Sequence, residues 1–152
     1  MKLVLNKCFG GFGLSHEAMM EIFKRKGVTV YPYITNIDDD YTGTTWTRFQ
    51  GQPPTSWFDN IEYLGIDPGK DSFVTGIGAR CNEYNQFDSQ AYDNYTKRND
   101  ADLVAVVEAL GDEASGVFAE LRIVEIPDGM NYTIDDYGGV ETVYYGLQTG
   151  SV

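Results

Sequence analysis

Asn6-Lys7-Cys8-Phe9-Gly10-Gly11-Phe12-Gly13-Leu14-Ser15 is the stretch whose residue types come nearest to chemistry. It joins a short apolar run, Leu3 to Leu5, to a segment with helical spacing. Glycines let the backbone approach a ligand closely and adopt positive φ. The first N–H groups of a helix point outward unpaired, with the positive end of the helix dipole behind them. Gly10, Gly11 and Gly13, with Phe12, Leu14 and Ser15, therefore form a candidate anion site built from backbone. The same residues also suit a tight strand-to-helix turn that needs glycine for its own sake. The spacing is G-G-x-G, neither the dinucleotide fingerprint nor a P-loop. Asp38, Asp39 and Asp40 follow at roughly the offset of a ribose-binding acid. Asn6 and Lys7 close the first strand, where ligands gather in open α/β sheets, and Lys7 would bring positive charge.

His16, the only histidine, falls in the first turn of the expected helix, where the dipole lowers its pKa. It is read as a ligand contact or a solvated side chain, because a catalytic triad needs both a base and an orienting partner. Arg98-Asn99-Asp100 opens a second helix. Capping accounts for Asn99 or Asp100 but not for Arg98, and arginine is suited to bidentate phosphate binding. Trp46 and Arg48 share one face of a candidate strand and offer a stacking surface and a charge. Trp57, Phe58, Tyr92 and Tyr95 add to a middle region dense in aromatics. The acidic clusters Asp38–Asp40, Asp112-Glu113 and Asp135-Asp136 have no histidine or cysteine companions and no EF-hand spacing. No metal and no cofactor is expected from them.

The elements that must position these residues follow from periodicity. Lys2–Cys8 reads as a buried parallel strand. Residues 15–26 read as a helix with Ala18, Met19, Ile22 and Phe23 on one face, Ser15 at its start and Gly27 past its end. Val28–Ile34 reads as a strand with Pro32 at an edge or an end. Together these predict a βαβ unit with a right-handed crossover. Thr44–Phe49 and Ser72–Ile77 are further candidate strands, and Gly51-Gln52-Pro53-Pro54 and Asp67-Pro68-Gly69-Lys70 are turns. Leu103, Val106, Val107 and Leu110 make a helical stripe that Gly111 ends. Phe118–Ile126 is a strand, and Asp135–Gly139 links two strands of a C-terminal β-hairpin. The expected fold is a single small α/β (α+β) domain over 1–152, with a mixed sheet and about two main helices. An irregular aromatic-rich insertion spans about 35–97.

The 152 residues carry 11 basic and 23 acidic side chains, a net charge of −12. That balance argues against nucleic acid and against an anionic membrane surface. Cys8 and Cys81 are too few for a disulfide framework, and Leu3–Leu5 is too short for a leader or a span, so a cytoplasmic location is expected.

Asn6 to Ser15 resembles the start of a group of small bacteriophage proteins. Arg98-Asn99-Asp100, Asp102–Glu108 and Leu121–Asp128 are similar to a later part of the same group. The resemblance covers residues 1–35 and 97–140. It implies a phage product in the host bacterial cytoplasm, and by analogy one that counters host defence by sequestering a nucleotide-derived immune signal. On that reading the partner is a small phosphorylated nucleotide-like ligand, held without turnover between subunits of a homo-oligomer. The alternatives are an acidic protein that binds a host protein or imitates DNA, and a nucleotide-processing enzyme using Glu17, Asp38 or Asp100.

Overall fold

A computed structural model describes residues 1–38, 40–52 and 59–146. The readings at Asp39, at Pro53 and Pro54, and at Trp57 and Phe58 lie outside the described residues. The fold is α+β, with two α-helices and eight strands among the described residues. The chain divides into two compact units, Met1–Lys26 with Gln90–Val152, and Gly27–Ser89.

The first unit holds β1 (Lys2–Asn6), α1 (His16–Arg25), α2 (Ala101–Leu110), β6 (Leu121–Glu125), β7 (Tyr132–Tyr137) and β8 (Val140–Tyr145). β1 pairs with β6 in an antiparallel ladder from Lys2↔Glu125 to Asn6↔Leu121. Leu3, Val4 and Leu5 are fully buried, and α2 packs on both strands. A consecutive apolar run means burial on both faces, and a covered antiparallel ribbon meets that condition as well as a central parallel strand does. The predicted βαβ unit is therefore corrected: the strand after α1 belongs to a different sheet.

The helix ends follow the sequence closely. Ser15 caps α1 by accepting the Ala18 N–H at 3.1 Å. Asp100 caps α2, accepting from Asp102 and Leu103 at 3.0 Å each. Ala18, Ile22, Leu103, Val106 and Val107 meet Val4 and Leu121 in one apolar cluster. In the hairpin, Asp135, Asp136 and Tyr137 belong to β7 and pair with Thr142, Glu141 and Val140. The turn shrinks to Gly138-Gly139, with φ of 61° and 100°, the double positive φ that a two-residue hairpin turn demands.

The second unit corrects the expected irregular insertion. It is an antiparallel sheet in the order β4-β2-β3-β5, built from β2 (Tyr31–Ile37), β3 (Gly43–Arg48), β4 (Asn60–Leu64) and β5 (Ser72–Gly76). Pro32 sits at the beginning of the inner strand β2, before the pairing with β3 begins at Tyr33. A proline there removes no hydrogen bond from the inner ladder. Tyr33, Trp46, Leu64 and Cys81 form the core, with Phe73 and Tyr84 packed against it. Residues 90–97, read as part of the insertion, belong to the first unit and include a 3-10 turn at Tyr95–Lys97.

Candidate functional site

Four of the predicted site residues meet, and they meet around a carboxylate of the chain itself. Glu141 lies on β8 and is 1% exposed, as is Arg98. The Arg98 Nη1 and Nη2 donate to Glu141 Oε1 at 2.5 Å and Oε2 at 2.8 Å. The guanidinium also donates to the carbonyls of Tyr92 at 2.8 Å, Val4 at 3.2 Å and Asp93 at 3.3 Å. Its five N–H donors are thereby all taken. Phe12 covers the cation, its ring centroid 3.7 Å from the guanidinium carbon. Asn6 N–H donates to Glu141 Oε1 at 2.8 Å, and Lys7 Nζ donates to the Glu141 carbonyl at 2.7 Å. The Arg98 half of the expected phosphate clamp is thus neutralised internally, since an unpaired buried charge is far more costly than a paired one, while Lys7 gives one of its three donors to a backbone carbonyl.

Asn6 extends this network to the surface. It is fully buried, and its amide donates to the carbonyls of Cys8 and Gly139 at 2.7 Å each. Its Oδ1 accepts the Glu120 N–H at 2.8 Å. Three segments are tied together: the glycine turn, the hairpin turn and the chain leading into β6.

The glycines of the turn serve close backbone packing. A Cβ on Gly10 would lie 1.8 Å from the Phe118 carbonyl oxygen, and one on Gly139 would lie 2.5 Å from the Gly11 nitrogen. Gly11 has a φ of 91°. Gly13 accepts the Gly116 N–H at 2.9 Å, and Leu14 bridges to Ser115. Ser15 donates its hydroxyl to the Glu113 carbonyl at 2.6 Å while capping α1. The His16 pKa is lowered, first by burial, with the Glu17 charge opposing. Asn99 is exposed, its amide 3.7 Å from Met1 Sδ.

Trp46 and Arg48 belong to the second unit. Trp46 is 2% exposed, stacks on Phe73 at 5.4 Å and donates its indole N–H to Thr75 Oγ1 at 2.9 Å. The expected stacking surface is therefore core, closed to a ligand. Arg48 pairs with Asp67 at 3.0 Å and Asp71 at 3.2 Å and lies over the Tyr33 ring.

Among the described residues the first unit carries a groove of about 500 Å³ beside the glycine turn. Cys8, Phe9 and Gly10 form one lip, Val117 to Glu120 the other, and Asp112 and Ser115 complete the lining. Phe9 is 74% exposed, Val117 92% and Phe118 52%. The Phe9 ring rests against Gly138, where a Cβ would lie 3.2 Å from Phe9 Cδ1. Cys8 donates its thiol to the Phe118 carbonyl at 3.1 Å. The charged residues of the lining are acidic, Asp112 and Glu120, and Arg122 pairs with both at 2.9 Å. Among the described residues no group of three or more His, Cys, Asp or Glu is placed to hold a metal ion. No helix among them is long and apolar enough to cross a membrane.

Sequence reasoning found the turn but missed Glu141 and the groove. A lone glutamate in Val140-Glu141-Thr142-Val143 looks like a solvent-facing strand residue. The adjacent apolar pair Val117-Phe118, at the start of the expected strand and outside β6, was the available signal for the groove. No protein-family model, curated protein or solved structure matches the chain.

Proposed function

We propose that this protein acts by binding another protein through the groove of its first unit. This is the acidic protein-binding alternative rather than capture of a phosphorylated ligand. The observation that carries it is Phe9, a large apolar ring held in the open. Asn6 fixes the Cys8 carbonyl just before it and the Gly139 carbonyl of the hairpin turn, and the ring rests against Gly138. Fixing an anchor before the partner arrives removes an ordering cost from association. Buried aromatic anchors dominate interface energies, and Val117 and Phe118 supply neighbouring apolar surface. A phosphate ligand has less to draw on, because Arg98 is buried and paired with Glu141 and the rim carries carboxylates. In the phage setting implied by the resemblance, the partner is a protein of the bacterial host.

The test is chemical cross-linking in host extract with the native chain and with Phe9→Ser, followed by identification of the captured proteins. One defined partner held by the native chain and lost by the variant, with unchanged circular dichroism, supports the reading. Equal capture by both proteins refutes it. Recovery of an intact cyclic nucleotide or ADP-ribose derivative from heat-denatured native protein would return the function to ligand sequestration.

A further inference from the structure

We infer that the groove takes a short cationic and apolar segment of its partner, an aliphatic or aromatic anchor flanked by lysine or arginine. This rests on the protein-binding reading and adds the chemistry of the occupant. The argument is charge complementarity around an apolar floor. Asp112 and Glu120 stand on the groove lining with side chains 86% and 49% exposed. Each gives one oxygen to Arg122: Oδ1 of Asp112 and Oε1 of Glu120. Oδ2 of Asp112 and Oε2 of Glu120 stay open to a new donor among the described residues. Two carboxylates against one guanidinium leave the rim negative, and the whole chain carries −12. An acidic segment entering here meets like charge on the rim and in the long-range field, while a basic one is steered in. The apolar anchor is required as well, because exposed Phe9 and Phe118 gain by leaving water only if something apolar covers them.

The experiment uses three fluorescent peptides of one Leu-containing pattern, differing only in carrying Lys, Gln or Glu at the polar positions. Binding to the native chain, to Phe9→Ala and to the double variant Asp112→Asn/Glu120→Gln is read by anisotropy at low and high salt. The Lys peptide binds the native chain best, and each variant weakens it about tenfold, or ~1.4 kcal/mol. Only the contribution lost in the double variant fades with salt, since surface charges are screened. Equal affinity for the Gln and Lys peptides, both dependent on Phe9, overturns the charge inference and leaves the groove reading standing. Affinities indifferent to Phe9→Ala overturn the groove itself. No binding of the Lys peptide at millimolar concentration also overturns the inference. Thermal melts of both variants establish that they fold.

Discussion

The two units solve the same problem with opposite materials. In the first, the largest fully buried polar side chains are Arg98, Glu141 and Asn6, joined as one hydrogen-bonded hub. In the second, Tyr33, Trp46 and Tyr84 cluster around Phe73, Trp46 stacked on it and the two tyrosines edge-to-face. A polar hub is specified by geometry: each donor has one correct acceptor, and a missing partner leaves a desolvated charge. An aromatic core is specified by volume and ring offset, and it degrades in proportion to the area lost. Both materials imitate a ligand site in sequence. Asn, Lys and Arg beside glycines suggest an anion cradle, and clustered Trp and Tyr suggest a stacking platform.

The sharpest way to break this comparison is to remove half of the hub. Glu141→Ala leaves the Arg98 charge buried among the carbonyls of Val4, Tyr92 and Asp93. The expected loss is about 3–5 kcal/mol in denaturant unfolding. Arg98→Met combined with Glu141→Leu should recover most of that loss, because an apolar pair of similar volume leaves no charge to desolvate. If the double variant is as unstable as the sum of its singles, the hub is not one cooperative unit. The same deletion should loosen Phe9, since Asn6 loses its backbone bond to Glu141. Peptide affinity would then fall along with stability.

A milder cut sharpens the other side. Trp46→Phe keeps an aromatic ring over Phe73 and removes the 2.9 Å bond to Thr75. Lost area and one half-buried hydrogen bond predict about 1–2 kcal/mol. Adding Thr75→Val should bring no comparable further loss, because the hydroxyl has already lost its indole donor and keeps only an exposed 3.3 Å bond to the Gly76 carbonyl. A loss as large as that of Glu141→Ala would mean that the second unit is held as specifically as the first.

What was readable in the sequence divides along a different line, that of contact range. Ser15, Asp100 and Gly111 announced the helix ends because capping involves residues two to four apart. The hairpin was visible because its turn is local. The pairing of β1 with β6 joins Leu3 to Val124, and no pattern near either strand names the other. β4 was missed because the alternation Asn60-Ile61-Glu62-Tyr63 is only four residues long and Leu64 breaks it; its partner β2 is what makes it a strand. At the site, Asn6, Lys7, Phe12 and Arg98 read in the sequence as ligand contacts, and the fold gathers them around Glu141. Their target was hidden, because only the fold carries Glu141 back to β1 and closes the space where a phosphate was expected.

The smallest effect expected is one of sign, in the response of the two units to acid. In the first unit, the Lys26 ammonium, and then the Arg25 guanidinium, hold the Asp102 carboxyl below its usual range. That stabilisation is present above the ordinary carboxylate value and is lost as pH falls through the lowered one. In the second unit, burial pushes Glu62 up, against hydrogen bonds from Gln86 and Ser89 and the charge of Arg80. Its protonated form suits the fold, so its contribution is full below the ordinary carboxylate value and is lost as pH rises through the raised one. Mild acidification should therefore strengthen amide protection on β2 and β4 before the tie between α1 and α2 weakens. Glu62→Gln should abolish that strengthening and change stability at neutral pH by less than about 1 kcal/mol. Asp102→Asn should abolish the later weakening and leave β2 and β4 unaltered. Hydrogen exchange followed residue by residue across the acid range separates the two responses. If β2–β4 protection falls with pH in the native chain as early as protection of the α1–α2 pair, Glu62 does not titrate as its burial dictates.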